Sequence, residues 1–317
     1  MKYVFGPVPS RRLGQSLGID PIPLKTCNWN CVYCQLGRSK PLVNVRREYF
    51  PREEIIAEVE LALTARPPGK IDWVTLIGSG ETTLHSGIGW LIKNVKALTK
   101  IPVAVITNGS LLYIPDLRNE LLSADAVMPS LDAGNANLYR RINRPHPQVS
   151  FNRLIEGLVA FRKEYSGKFW VEVMLVRGLN DTEKALNEIA EQLDIIQPDE
   201  IHILQPTRPP AESWVKPSDE EGILRAHAVL GSIARIIQPA SGTFNLSGCN
   251  TLVDAVIAII TRHPMREDEI IKSVEQFSPE EVSSTLAELE KSGQAQVVTR
   301  YGYRFWRHTS SNFPEEK

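Results

Sequence analysis

Pro23-Leu24-Lys25-Thr26-Cys27-Asn28-Trp29-Asn30-Cys31-Val32-Tyr33-Cys34-Gln35-Leu36-Gly37 is the stretch from which the rest of the chain is read. Three cysteines, Cys27, Cys31 and Cys34, fall within eight residues of a chain that has four in all. Four are too few for a disulfide framework, and such crowding suits metal or cluster ligation in a reducing compartment. Three thiolates on one loop can hold three irons of a cubane and leave the fourth iron open. A zinc site normally takes four ligands, often as two separated pairs, and no histidine or second cysteine pair lies close to this loop. Cys249 stands apart from the other three.

On the C-terminal side of this loop, amphipathic helical stretches alternate with short runs rich in Val, Ile and Leu, the pattern of βα units around a parallel sheet. The expected strands are Ser16–Ile22, Trp73–Ile77, Val103–Thr107, Ala126–Leu131, Phe169–Val176 and Glu200–Leu204. The expected helices are Arg52–Ala65, Gly87–Leu98, Ile114–Leu122, Val149–Tyr165, Thr182–Ile195 and Asp219–Ile236. Six right-handed units make an open doubly wound sheet or a partial barrel, and periodicity alone does not choose between them. In both, ligands collect at the C-terminal ends of the strands. Those segments here are the cysteine loop, GSGETTLH, NGSLL, DAGNANLYRR, RGLND and QPTRPPAE.

The composition is that of an ordinary globular protein: 317 residues, 42% hydrophobic and 23% charged, with a net charge of −1. No apolar run approaches the roughly 18 residues of a membrane span. The N-terminus breaks early at Pro7 and Pro9, so neither a span nor a signal peptide is expected, and the expected location is cytoplasmic. Residues 1–50 nevertheless carry eight Lys or Arg against Asp20 and Glu48. That surplus either balances a thiolate-ligated cluster, receives an anionic substrate, or is a solvated basic surface. Arg11 and Arg12 are its candidate substrate contacts.

Cys-x-x-x-Cys-x-aromatic-Cys after a first strand, with Tyr33 at the aromatic position, resembles the signature of the radical S-adenosylmethionine (SAM) superfamily. The resemblance covers about residues 15–240 and implies a partial (β/α)6 barrel, with a 4Fe-4S cluster on Cys27, Cys31 and Cys34 and SAM on its open iron. It also implies reductive cleavage of SAM to a 5′-deoxyadenosyl radical that abstracts hydrogen from a substrate. A one-electron donor such as flavodoxin or ferredoxin is the implied partner. Gly78, Ser79, Gly80 and Glu81 look like the glycine-rich motif that receives the SAM ammonium, a role that glycines and a carboxylate can fill. Where such motifs usually carry proline this chain has Thr82, which is expected to relax the turn. By the same resemblance Tyr33, Asn108, Ser130, Asp132, Met174, Arg177 and Leu204 fall at cofactor-binding positions. Helix capping and turn chemistry account equally for Asn108, Ser130 and Asp132, and core packing for Met174.

The stretch from Phe5 to Arg38 looks closest to the superfamily group that includes the wyosine-forming tRNA-modification enzymes. Those enzymes bear a second cluster on cysteines upstream of the main motif, and this chain has none before Cys27. Cys249 is a candidate catalytic thiol, able to donate hydrogen or bond a substrate radical, or else a buried small hydrophobe.

The pattern changes after Ser241–Gly248. Residues 1–245 read as the barrel with its basic N-terminal segment, 250–308 as a small domain, and 309–317 as a flexible tail. Three helices and a hairpin resemble a winged helix with Ser278–Ser292 as its recognition helix, begun by the capping box Ser278-Pro279-Glu280-Glu281 and closed by Gly293. Residues 250–317 hold 11 acidic and 8 basic residues, without the basic surplus of a nucleic-acid binder. The hairpin does interleave cations with aromatics, from Arg300 to Arg307, as an RNA or peptide platform would. Strands packed on one face give the same alternation. Three functions follow: modification of an RNA or protein, action on a small molecule, or a cluster-bearing DNA-binding sensor.

Overall fold

The computed structural model describes residues 1–65, 69–238, 251–274 and 276–310. Strands β1 (Val4–Ser10) and β2 (Gly14–Ile19) form an antiparallel hairpin. From β2 onward the pairings are parallel, through β3 (Trp73–Leu76), β4 (Val103–Thr107), β5 (Ala126–Pro129), β6 (Lys168–Met174), β7 (Glu200–Leu204) and β8 (Ala234–Ile236). Spatial order follows chain order, so β1 and β8 are the two edges of an eight-stranded sheet. The strands β2 to β7 with their helices make a partial (β/α)6 barrel, open between those edges.

The helices are α1 (Arg52–Thr64), α2 (Ile88–Leu98), α3 (Pro115–Leu121), α4 (Ala136–Ile142), α5 (Phe151–Glu164), α6 (Glu183–Ile196) and α7 (Glu220–Leu230). Ser150, Thr182 and Asp219 start α5, α6 and α7 by accepting the backbone N–H of Arg153, Ala185 and Gly222. Leu91, Ile92 and Val95 of α2 and Leu186, Ile189 and Leu193 of α6 bury the inner faces of those helices against the strands. Each such side chain contributes about 1.5–3 kcal/mol on burial.

Three elements differ from the sequence reading. The N-terminal segment is strand β1. The loop after β5 contains α4, whose N-cap Asn135 accepts from Asn137 N and Leu138 N. Helix α7 stops at Leu230 because Gly231 turns the chain at φ +84°, and the apolar residues beyond it build β8 rather than another helical turn.

Side chains close the lower end of the barrel. Leu13, Ala104, Ala126 and Met128 pack with Trp73, Ile106 and Trp170, and the two tryptophan rings lie 6.1 Å apart. Above this floor Ser16 and Thr75 share a hydrogen bond of 2.5 Å, and Arg12 is ion-paired with Glu172 of β6.

The C-terminal unit comprises α8 (Leu252–Arg262), β9 (Met265–Arg266), α9 (Glu267–Ser273), α10 (Pro279–Lys291), β10 (Ala295–Arg300) and β11 (Tyr303–His308). Its antiparallel sheet has the order β10-β11-β9, and Val256, Ile260, Ile270, Val282, Leu286 and Trp306 form a core of their own. The Ser278–Glu281 capping box forms as read from sequence. Phe305 and Trp306 are each 4% exposed and pack inward, whereas Tyr303 is 53% exposed. The unit sits on the barrel: Arg262 Nε reaches Asp20 Oδ2 at 3.2 Å, its guanidinium lies 5.0 Å over the Phe5 ring, and Gln35 donates to Arg262 O at 2.9 Å. No helix among the described residues is long and apolar enough to cross a membrane.

Candidate active site

The cysteine loop leaves the end of β2 and is stitched to three neighbouring segments by backbone hydrogen bonds. Lys25 N donates to Ser79 O and Glu81 N to Thr26 O on the side of β3. Asn30 N and Val32 N donate to Asn143 O and Ile142 O at the end of α4, and Glu212 N donates to Val32 O from the loop after β7. The contact with the glycine loop is close: a Cβ on Gly80 would stand 1.9 Å from Thr26 O. Only glycine lets the two backbones approach in this way.

Each cysteine sulfur meets an N–H donor. Trp29 N points at Cys27 Sγ at 3.4 Å, Asn143 Nδ2 at Cys31 Sγ at 3.6 Å, and Lys25 Nζ at Cys34 Sγ at 3.2 Å. Burial pushes the Cys27 thiol up to about 12 and the Cys31 thiol well above its ordinary value, with Lys25 opposing the rise at Cys27. Such thiols stay protonated at neutral pH unless a metal centre claims them as thiolates. Three thiols on one loop, with no fourth cysteine or histidine beside them in the sequence, fit thiolate ligands to three irons of a cluster.

The loop after β3 holds its shape through Glu81. This 1% exposed carboxylate accepts from Thr83 N at 2.9 Å, the Thr83 and Thr107 hydroxyls at 2.5 Å each, and Asn108 N at 2.6 Å. Burial raises its pKa while those four donors pull it down. Three of these donors meet Oε1 and one, Asn108 N, meets Oε2. Thr82 starts a short 3-10 helix, Thr82–Leu84, and takes the Gly78 N–H at 2.6 Å. It ties the turn instead of relaxing it. Ser79 is held through its N–H and hydroxyl by Asp20, at 2.9 and 2.5 Å.

Asp132, after β5, joins the far wall to the cysteines. It accepts from Tyr33 Oη at 2.5 Å, Asn143 Nδ2 at 2.6 Å and Met174 N at 2.8 Å. Asn108 Nδ2 bonds Asn28 Oδ1 at 2.8 Å and lies 4.0 Å from Cys27 Sγ. Ser130 forms a bridge with Glu172 at the end of β5.

A cavity of about 350 Å³ opens beside Tyr33 and Cys34, and Arg11, Arg12, Met174 and Leu204 line it. Arg177 does not join them: its side chain is 54% exposed and pairs with Asp219 at 2.8 Å on the outer surface. Cys249 lies outside the described residues. Lys25, two residues before Cys27, is the member of the basic N-terminal surplus that meets a cysteine sulfur. The sequence reading missed Asn143, Glu172 and Arg208 as members of this region, because only the fold brings them to it.

A family model described as the radical SAM superfamily matches residues 22–191, from just before the cysteine loop to α6. The chain belongs to the radical SAM superfamily. Enzymes of this superfamily bind a 4Fe-4S cluster and SAM. The chain is 36% identical over 279 residues to a UPF0026 protein of Methanocaldococcus jannaschii, covering 86% of each. It is 42% identical over 225 residues to a Brachyspira hyodysenteriae protein named GTPase Obg; the match takes in 71% of this chain but spans only 33% of that relative's length. A radical SAM methyltransferase from Sphaerobacter thermophilus shares the fold, with a TM-score of 0.53 at 16% identity over 70% of this chain and 66% of that one.

Proposed function

We propose that Cys27, Cys31 and Cys34 hold the 4Fe-4S cluster and that this radical SAM enzyme abstracts hydrogen from a substrate seated in the adjoining cavity. The observation that carries this reading is the set of three thiols on one loop, each facing an N–H donor, of which Cys34 lines a cavity inside a partial barrel. When bound, the cluster and SAM supply a one-electron cleavage of the sulfonium and a carbon radical that removes hydrogen from the substrate.

The chain's own residues bind, orient and exclude water. The Lys25 ammonium, 3.2 Å from Cys34 Sγ, offsets negative charge on the thiolates, while Asn108 and Asn143 fix the two walls of the loop. Gly78, Ser79 and Gly80 offer backbone groups to the SAM ammonium, with Glu81 holding their turn in place. Tyr33, Ser130, Asp132, Met174 and Leu204 continue the SAM site around the strand ends. The apolar floor below Arg12 and Glu172 keeps the cavity dry from beneath. An external donor of the flavodoxin or ferredoxin type supplies the electron.

The cavity's size and the inward packing of Phe305 and Trp306 favour a small molecule, or one inserted group of a larger one, over a surface-docked macromolecule. The C-terminal unit, which we read as winged-helix-like, then serves as a wall of the site through His263, with Arg262 tying the unit to Asp20. An RNA substrate would instead give salt-dependent retention of the protein on RNA and would need a base turned out into the cavity.

The test is anaerobic reconstitution with iron and sulfide, reduction by dithionite, and assay of 5′-deoxyadenosine from SAM. The wild type should form it and a Cys27/Cys31/Cys34 triple Ala variant should not. A protein that assembles the cluster and never cleaves SAM, with candidate substrates present, would overturn the reading.

A further inference from the structure

Arg11, Arg12 and Arg208 bring three guanidinium groups to one cavity, and they are unequally neutralised. Arg12 has Glu172 as its ion-pair partner, and neighbouring Arg262 has Asp20. Arg11 and Arg208 have only neutral partners. Arg11 Nη2 donates to Thr207 Oγ1 at 2.6 Å, while Arg208 Nη1 stands 3.2 Å from Gln35 Oε1 and 2.8 Å from His263 Nδ1. Among the described residues neither makes an ion pair with a carboxylate. Glu269, whose field reaches both, is itself 3.3 Å from Arg266.

The two cations lie close enough to act on each other: burial first, and the Arg11 charge second, push Arg208 down to about 10. Phe5, Val8, Pro9 and Pro206 supply apolar walls around them. A cation surplus held in such surroundings is costly unless an anion joins it. The planar guanidinium presents parallel N–H donors that match an oxyanion, and each of these two uses one terminal nitrogen in the bonds above.

We propose that Arg11 and Arg208 form an oxyanion subsite that receives a phosphate or carboxylate group of the substrate, with the rest of the substrate directed toward Tyr33 and Cys34. The inference rests on the cavity being the substrate site of a radical SAM enzyme, and it names the substrate class as anionic. Arg12, already paired, holds the wall behind the subsite.

The experiment uses the full chain reconstituted with cluster and SAM, titrated calorimetrically at constant ionic strength with inorganic phosphate, pyrophosphate, acetate or succinate against a chloride baseline. Saturable binding of the phosphates or of the carboxylates is expected, and the class that binds identifies the group. Arg11→Gln and Arg208→Gln should each weaken it roughly tenfold, as loss of a charge-assisted hydrogen bond does. Arg208→Lys should restore part of the affinity, and Arg225→Ala, on the outer surface beside Glu221, should leave it unchanged. If Arg208→Gln does not fold, Arg11→Gln and Arg208→Lys carry the comparison. No saturable binding of any anion, or equal binding in wild type and Arg11→Gln, overturns the subsite. Formation of 5′-deoxyadenosine by the same samples separates the two ideas: SAM cleavage without anion binding rejects the subsite alone, and anion binding without SAM cleavage rejects the radical reading alone.

Discussion

Asn143 holds Asp132 and Cys31 together: its Nδ2 donates to Asp132 Oδ2 at 2.6 Å and points at Cys31 Sγ at 3.6 Å. A hydrogen bond to a ligating sulfur both orients it and stabilises the reduced, more negative cluster. Asn143→Ala is expected to lower cluster affinity about 10- to 100-fold, the usual cost of losing an outer-shell partner. It should also shift the reduction potential to more negative values. Iron content after gel filtration and a potentiometric titration followed by EPR check both outcomes.

Cys27 gives a pH prediction for the cluster-free protein. Its thiol is raised by burial from an ordinary 9.0 to about 12. Between those values the folded chain keeps a proton that the unfolded chain has lost, so the unfolded state binds fewer protons. This contribution is therefore complete below pH 9 and is lost as pH rises through about 12. Denaturant midpoints should fall across that window in the wild type and fall less in Cys27→Ala. Alkylation of Cys27 at pH 8 should be at least about a hundredfold slower in the folded chain than in denaturant, since the thiolate is the reactive form.

Glu81 is a structural carboxylate by its contacts. Glu81→Ala leaves the buried Thr83 N–H and the partly buried Asn108 N–H without their acceptor, at about 1–3 kcal/mol for each group left unpaired. A loss of about 2–5 kcal/mol in unfolding free energy is expected, with a smaller loss for Glu81→Gln, which keeps a carbonyl. Calorimetric melting distinguishes them, and a Glu81→Gln variant that melted with Glu81→Ala would refute the assignment.

Gly80→Ala should separate the glycine loop from the cysteine loop. Its Cβ would meet Thr26 O at 1.9 Å, and Thr26 O is backbone that cannot swing aside. The Glu81 N to Thr26 O bond of 2.9 Å should break, and reconstituted iron should drop well below that of the wild type. Gly178→Ala, where nothing lies within 4 Å of the added carbon but φ is +72°, provides a comparison that perturbs only the backbone.

Much of this arrangement was legible in the sequence because it is local. The cysteine spacing, the Val- and Ile-rich strands β4 and β7, the helix starts at Thr182 and Asp219 and the capping box at Ser278 are set by residues a few positions apart. What escaped was either short or distant. Helix α4 has seven residues and lies between a glycine and an Arg-Pro pair, so no periodicity declared it. The run Ile233, Ile236 and Ile237 resembles a helical continuation, although Gly231 had already ended α7. Asn143 is 112 residues from Cys31, and no spacing rule reaches that far. Thr82 was misjudged because its hydroxyl acts on Gly78, a contact that a motif written as letters does not contain.

The open side of the barrel is spanned by side chains, with Arg11 from the β1–β2 turn bonded to Thr207 beyond β7. Most cylinders of this kind are sealed by ladders, in which neighbouring backbone bonds must yield together. Here the seam at this point is a single guanidinium-to-hydroxyl bond, worth about 1.5–3 kcal/mol in net terms. Rotation about the arginine torsions is enough to part it. Parting the seam leaves every strand still paired, and the arginine that holds it is the one proposed above to receive an anion.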